Sequence, residues 1–339
     1  MKKIELHLHL DGSCNIELAS QLEGKDVSNE LIASNTDSLS KYLESFTLPI
    51  KLLQDLDNIE NFSYLLAKEL EKDEVIYAEV RFCPLFHIEK YSIEEVVHSI
   101  IKGFNKVSTV KINLIFCMMR DFSEDDNMKI IMLTKEFLGK GVVAIDLAGD
   151  EAKFKTSNFD KLFDEIKKKN IPFTIHAGEA DSYESVQTAI SFGTKRIGHG
   201  VRCIEDKEVM QDLKDRKVLL EICPTSNFQT QAVTGKTDGS YPIEKIFRFG
   251  IPVGLNTDND TVSNTDIEQE YAWVLSETSL TTSNLIQMNL DSIKSAFTTP
   301  EKKLAIANQI VAEAKNIPNN TAPSKNVTTT HDDTDHENR

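Results

Sequence analysis

The chain has 339 residues, long enough for one α/β barrel with insertions, and its 40% hydrophobic and 27% charged composition is that of a globular protein. A net charge of −16 repels a phosphate backbone, so nucleic acid is excluded as a partner, and no run approaches the roughly 18 apolar residues of a membrane helix. Five scattered cysteines with no C-x-x-C pair (Cys14, Cys83, Cys117, Cys203 and Cys223) exclude a disulfide framework, and with no apolar leader at the start they predict a reduced, cytoplasmic protein.

Short apolar runs predict strands over 3–9, 75–82, 110–118, 142–147, 173–176, 196–199, 218–222 and 253–256. Several are almost continuously apolar, as strands buried on both faces of a parallel sheet are. The stretch from 22 to 58 has little periodicity and reads as small helices and loops inserted after the first strand, either a lid or a surface excursion. Ser92 followed by Glu95 predicts a capping box, and the acids after Ser123 suit a helix N-terminus. Gly103, Gly139 and Gly250 fall where helices are expected to end. Strand followed by helix, about eight times over, predicts a (β/α)8 TIM barrel, although a doubly wound sheet alternates in the same way. Residues 1–315 form a single catalytic domain on this reading. Beyond Asn316 the chain has few apolar residues and no aromatics, which predicts a disordered polar tail over 316–339.

The chemistry-bearing residues separate the two folds. His7-Leu8-His9 puts two imidazoles on one side of the first strand, a weak signal alone. His176-Ala177-Gly178-Glu179 follows the fifth strand, Gly198-His199-Gly200 the sixth, and Thr257-Asp258-Asn259-Asp260 the eighth. Barrel active sites are built at that end of the strands. Three nitrogens from His7, His9 and His176 and one oxygen from Asp258 suit a single zinc ion with a position left for water, whose pKa zinc can lower to about 7. Glu179 shares the cavity without being a ligand and can pass a proton to a substrate ring nitrogen. His199 can polarise the hydroxide or steady a developing oxyanion. His87, His98, Trp273 and the Met118-Met119 pair read as surface or packing residues.

These motifs, together with Asp146-Leu147-Ala148-Gly149-Asp150-Glu151, Cys223-Pro224-Thr225-Ser226-Asn227 and Asn256-Thr257-Asp258, resemble in content and order the adenosine deaminases of the amidohydrolase superfamily, from Lys3 to about Glu270. The resemblance implies zinc-dependent hydrolysis of adenosine, and of 2′-deoxyadenosine, to inosine or deoxyinosine and ammonia, in purine salvage. It implies one zinc per chain on His7, His9, His176 and Asp258. Glu179 would protonate ring nitrogen 1, and His199 and Asp258 would aid attack at carbon 6. Gly149 would offer its N–H to ring nitrogen 3, and Asp11, near His9, would bind the ribose 5′-hydroxyl. Many members carry a second Asp where this chain has Asn259, opposite ring nitrogen 7; an amide can donate there without first being protonated. The expected partner is a small purine nucleoside, and the chain is expected to be a monomer or a weak homo-oligomer.

Three other readings compete. A deaminase of adenine or of a modified adenine nucleotide would use the same metal chemistry; adenine-specific relatives tend to carry Glu where Asp11 stands, and no Gly-rich basic loop offers a phosphate site. A two-metal hydrolase would need a bridging Lys near Asp146, and there is none. A non-catalytic purine-binding relative would have lost Glu179, His199 or a ligand.

Overall fold

The computed structural model describes residues 1–34, 36, 38–233 and 241–315, so the predicted tail lies outside the described residues. Eight strands run parallel: β1 Lys3–His9, β2 Val75–Phe82, β3 Lys111–Met119, β4 Val142–Ala148, β5 His176–Ala177, β6 Arg196–His199, β7 Leu219–Ile222 and β8 Val253–Leu255. β1 to β4 form one four-stranded ladder in chain order, and β5 to β8 a second. The ladders meet at two seams of one bridge each, Ile145 with Phe173 and Leu8 with Asp258. At the second seam His9 N–H donates to Asp258 O at 2.8 Å and Asp258 N–H to His7 O at 2.9 Å. The barrel is the predicted one, with β5 shorter than expected because 173–175 touch β4 only through that single bridge.

Helices alternate with the strands, and local chemistry sets their starts. The helix Ile93–Phe104 opens with the predicted capping box between Ser92 and Glu95, and Glu124–Phe137 starts with Ser123 accepting the Asp126 N–H at 3.1 Å. Gly139 and Gly250 follow helices at positive φ, as expected. Gly103 also sits near a helix end, as expected, but for another reason. It lies in the last turn of Ile93–Phe104 where the helix Leu56–Lys72 presses closest, and a methyl group there would run into Glu60 O and lie 2.7 Å from Ser63 Cβ. Close packing, not turn geometry, requires that glycine.

The insertion after β1 is made of short helices, Ile16–Glu23, Ser28–Leu31, Leu39–Tyr42 and Thr47–Leu52. Ala33, Leu39 and Tyr42 pack on Val262, which anchors this segment over the barrel mouth. Beneath the mouth the barrel interior is charged. Arg81 on β2 pairs with Asp146 at 2.7 Å and Glu221 at 2.8 Å, while Arg196 on β6 pairs with Glu221 at 2.6 Å and with Glu79. Both guanidinium groups also donate to Leu6 O, at 2.5 and 3.1 Å. All five charged side chains are fully buried, where only mutual pairing makes them tolerable.

Candidate active site

His7 and His9 sit two residues apart at the end of β1 and therefore face the same way. His176 opens β5 and Asp258 follows β8. His9 Nε2 lies 3.2 Å from His176 Nε2, and Asp258 Oδ1 lies 3.3 Å from His7 Nε2 and 3.4 Å from His9 Nε2. The four donor atoms are all within 4.8 Å of one another. His7 Nε2 is buried and makes no hydrogen bond. An orphaned lone pair among two more nitrogens and a carboxylate is what a divalent metal requires, and the mixed nitrogen and oxygen set suits zinc.

The outer faces of these ligands are held from below. His7 Nδ1 lies 2.9 Å from Glu221 Oε2, and His176 Nδ1 lies 2.9 Å from Asp146 Oδ2. Carboxylates in that position fix the ring and its tautomer. Burial pushes His9 and His176 toward the neutral, ligating form, against the pull of Asp258 and Asp146 respectively. Burial alone would raise Asp258, but the adjacent His7, with His199 and His9, holds it below the usual carboxylate range. Ser226 Oγ donates to its other oxygen at 2.5 Å. Asp258 and His199 adopt positive φ, 68° and 62°, a strained conformation for side-chain-bearing residues that clusters at functional sites.

Glu179 and His199 stand together on one wall, His199 Nε2 3.5 Å from Glu179 Oε2. Burial, and then the negative charges of Asp258 and Glu151, push Glu179 well above the ordinary carboxyl range, which favours its protonated form. Burial makes His199 neutral. Its Nδ1 faces Asn227 Nδ2 at 2.9 Å, and Asn227 Oδ1 accepts from Tyr241 at 2.9 Å. An amide nitrogen only donates, so this arrangement puts the His199 proton on Nε2, facing Glu179.

A cavity of about 380 Å³ opens over these groups. His9, Asp11, Gly149, His176, Glu179, His199, Asp258 and Asn259 all line it, with Leu39, Leu43 and Phe46 of the insertion on the far side. His7 lies just beneath, fully buried. Gly149 follows β4 at φ 101°, exposing bare backbone where a side chain would crowd Arg120 N at 3.3 Å. The size falls within the range of small-ligand pockets, about 300–1,000 Å³.

The sequence model for the family described as adenosine deaminase matches residues 2–313. The adenosine deaminase of Haemophilus ducreyi is 40% identical over 325 residues, covering 89% of this chain and 94% of its own length. The chain belongs to the adenosine deaminase family. Two solved structures share its fold: the adenine deaminase of Arthrobacter aurescens, with a TM-score of 0.83 at 21% identity over 92% of this chain and 99% of that one, and an amidohydrolase of Burkholderia ambifaria with bound Zn, with a TM-score of 0.82 at 18% identity over 93% and 91%.

Several residues of this adenosine deaminase family member stand where sequence reasoning did not put them. Met119 packs against the core and also lines the cavity. His87 is buried against Phe82, with Nε2 3.8 Å from Asp11 Oδ2, so it backs a cavity residue. Asn259 donates to Tyr42 Oη at 2.9 Å, which commits one of its amide protons to the insertion. Trp273 packs edge-on against Phe228 and Tyr241, as expected. Glu221, Arg81 and Tyr42 were given no role from the sequence. The first two carry a usable signal: Glu221 is a charge inside an otherwise apolar buried strand, and Arg81 stands with Glu79 in another buried strand.

Proposed function

We propose that this enzyme hydrolyses adenosine and 2′-deoxyadenosine to inosine or deoxyinosine and ammonia, with one zinc ion held by His7, His9, His176 and Asp258. Water adds to carbon 6, the carbon–nitrogen bond to the exocyclic amine breaks, and ammonia leaves. Zinc in this donor set would supply Lewis acidity that makes a coordinated water acidic near neutral pH. The observation that carries the reading is the pairing of buried Glu179 and His199, 3.5 Å apart, on the wall of the cavity that His9, His176 and Asp258 also line, with burial favouring a protonated Glu179 and a neutral His199.

Glu179 holds the proton that ring nitrogen 1 takes up, which makes carbon 6 electrophilic. His199, with its proton on Nε2, donates to the oxygen as charge develops on it, which favours oxyanion stabilisation over action as a base. Asp11 takes the ribose 5′-hydroxyl, the Gly149 N–H faces ring nitrogen 3, and the second amide proton of Asn259 serves ring nitrogen 7. Apolar side chains of the insertion cover the ring and keep bulk water out.

The deciding experiment is an ultraviolet assay of purified, zinc-loaded protein with adenosine, adenine and AMP in parallel. Turnover of adenosine, with little or none of the other two, is expected. Preference for adenine or AMP would overturn the substrate assignment, and no turnover of any would overturn the reaction. Catalysis is assigned to residues 1–315, so removal of 316–339 should leave the rate unchanged.

A further inference from the structure

The loop that follows β5 and carries Glu179 is organised around one buried carboxylate. Glu151 lies three residues past the end of β4 and is 1% exposed. Its Oε1 accepts the Gly178 N–H at 2.7 Å, and its Oε2 accepts the N–H groups of Glu179, Ala180 and Asp181 at 2.9, 2.8 and 3.1 Å. The Ser185 hydroxyl donates to Oε1 as well. Four consecutive peptide groups thus point at a single side chain. This is not a helix cap: the helix Tyr183–Phe192 begins later and is capped by Ser182. Without the carboxylate, the buried N–H groups of Gly178 and Glu179 would lose their partner, and the turn through Gly178 at φ 69° would lose the group it closes on.

The same carboxylate is tied to the metal side of the cavity. Ser185 Oγ lies 2.6 Å from Thr156 Oγ1, which accepts from Arg120 at 2.9 Å, and Arg120 donates to His176 O at 2.7 Å. Both ends of the 176–179 segment are therefore pinned by one network. Glu151 itself does not line the cavity, so it acts through its neighbours.

We propose that Glu151 is a positioning residue for the proton donor, holding the 178–181 loop in the one conformation that aims the Glu179 carboxyl into the cavity. The inference rests on the assignment of Glu179 as that donor. Misplacing a catalytic group by an ångström can cost about 100-fold in rate.

The test measures kcat and KM for adenosine in the zinc-loaded full chain for E151Q, E179Q and the E151Q/E179Q double variant, with metal content and melting followed alongside. Glutamine keeps the shape but replaces one acceptor oxygen with an amide that opposes the loop N–H groups. The expected result for E151Q is a kcat reduced about 10- to 100-fold with KM changed less than about threefold and zinc retained. The double variant should be no slower than E179Q, because two residues acting through one proton transfer are not additive. A double variant slower than E179Q by the full E151Q factor would overturn the proposal and leave the role of Glu179 standing. Wild-type turnover in E179Q would instead overturn the donor assignment beneath it. Should E151Q fail to fold, S185A removes one donor to Glu151. It should lower kcat a few-fold in the wild-type background and not at all in the E179Q background; equal losses in both would count against the proposal.

Discussion

His7 Nδ1 and Glu221 Oε2 lie 2.9 Å apart with both side chains fully buried, and this contact decides which nitrogen of His7 faces the cavity. The carboxylate accepts the Nδ1 proton and leaves Nε2 bare among His9, His176 and Asp258. Glu221 in turn is held between Arg81 and Arg196, at 2.8 and 2.6 Å, so the ligand geometry is inherited from the charged floor of the barrel.

Glu221→Gln should therefore weaken zinc binding by about 10- to 100-fold, the usual effect of removing an outer partner of a metal-bound histidine. Competition with a chromophoric chelator measures this directly. Zinc affinity equal to the parent's would mean that Glu221 serves folding alone. Stripping the metal should also lower the melting temperature, since an ion that binds only the folded state stabilises it, and the drop should be smaller in the variant.

The raised pKa of Glu179 makes a pH prediction. Burial, Asp258 and Glu151 favour its protonated form, and that form is the one the proposed mechanism uses. Turnover is then preserved below its pKa and lost as pH rises through it. Glu179→Gln should keep its zinc, lose about 10²- to 10⁴-fold in kcat, and no longer show this alkaline limb in its residual rate. A full alkaline limb in the variant would assign that titration to another group.

Asn227→Asp tests the His199 tautomer. An ionised carboxylate only accepts, so it draws the imidazole proton to Nδ1 and leaves Nε2 without one. Loss of a donor to a developing oxyanion costs about 10²- to 10³-fold in kcat, with little change in KM expected. Parent-like kcat would show that the proton on Nε2 is not used.

Gly103→Ala addresses the fold rather than the site. The added methyl meets Glu60 O and Ser63 Cβ on the neighbouring helix, and overpacking of this kind costs about 1–3 kcal/mol. A lowered melting temperature with kcat unchanged at 25 °C is expected. A variant as stable as the parent would show that the two helices can move apart freely.

The strands were legible because a strand buried on both faces shows itself as a short apolar run, and β1, β2 and β6 match their predicted limits. The cavity residues were legible because the barrel brings strand ends together, so a histidine or acid just past each run is a site residue wherever it falls in the chain. The reason for Gly103 was not legible because a glycine demanded by a neighbouring helix looks, in one dimension, like a glycine demanded by a turn. His87 and Met119 were read as ordinary for the same reason: what lies opposite a side chain is not written next to it.

The sequence alone determined the alternation of elements and which residues are the candidate ligands and the candidate acid, since those follow from residue type and local spacing. Tertiary structure decided their states. That Glu179 favours its protonated form, that His199 carries its proton on Nε2, that His7 offers Nε2 and that Glu151 gathers the 178–181 loop all depend on burial and on partners dozens to hundreds of residues away. Electrostatic free energies depend on distance and dielectric, and only the folded chain sets either.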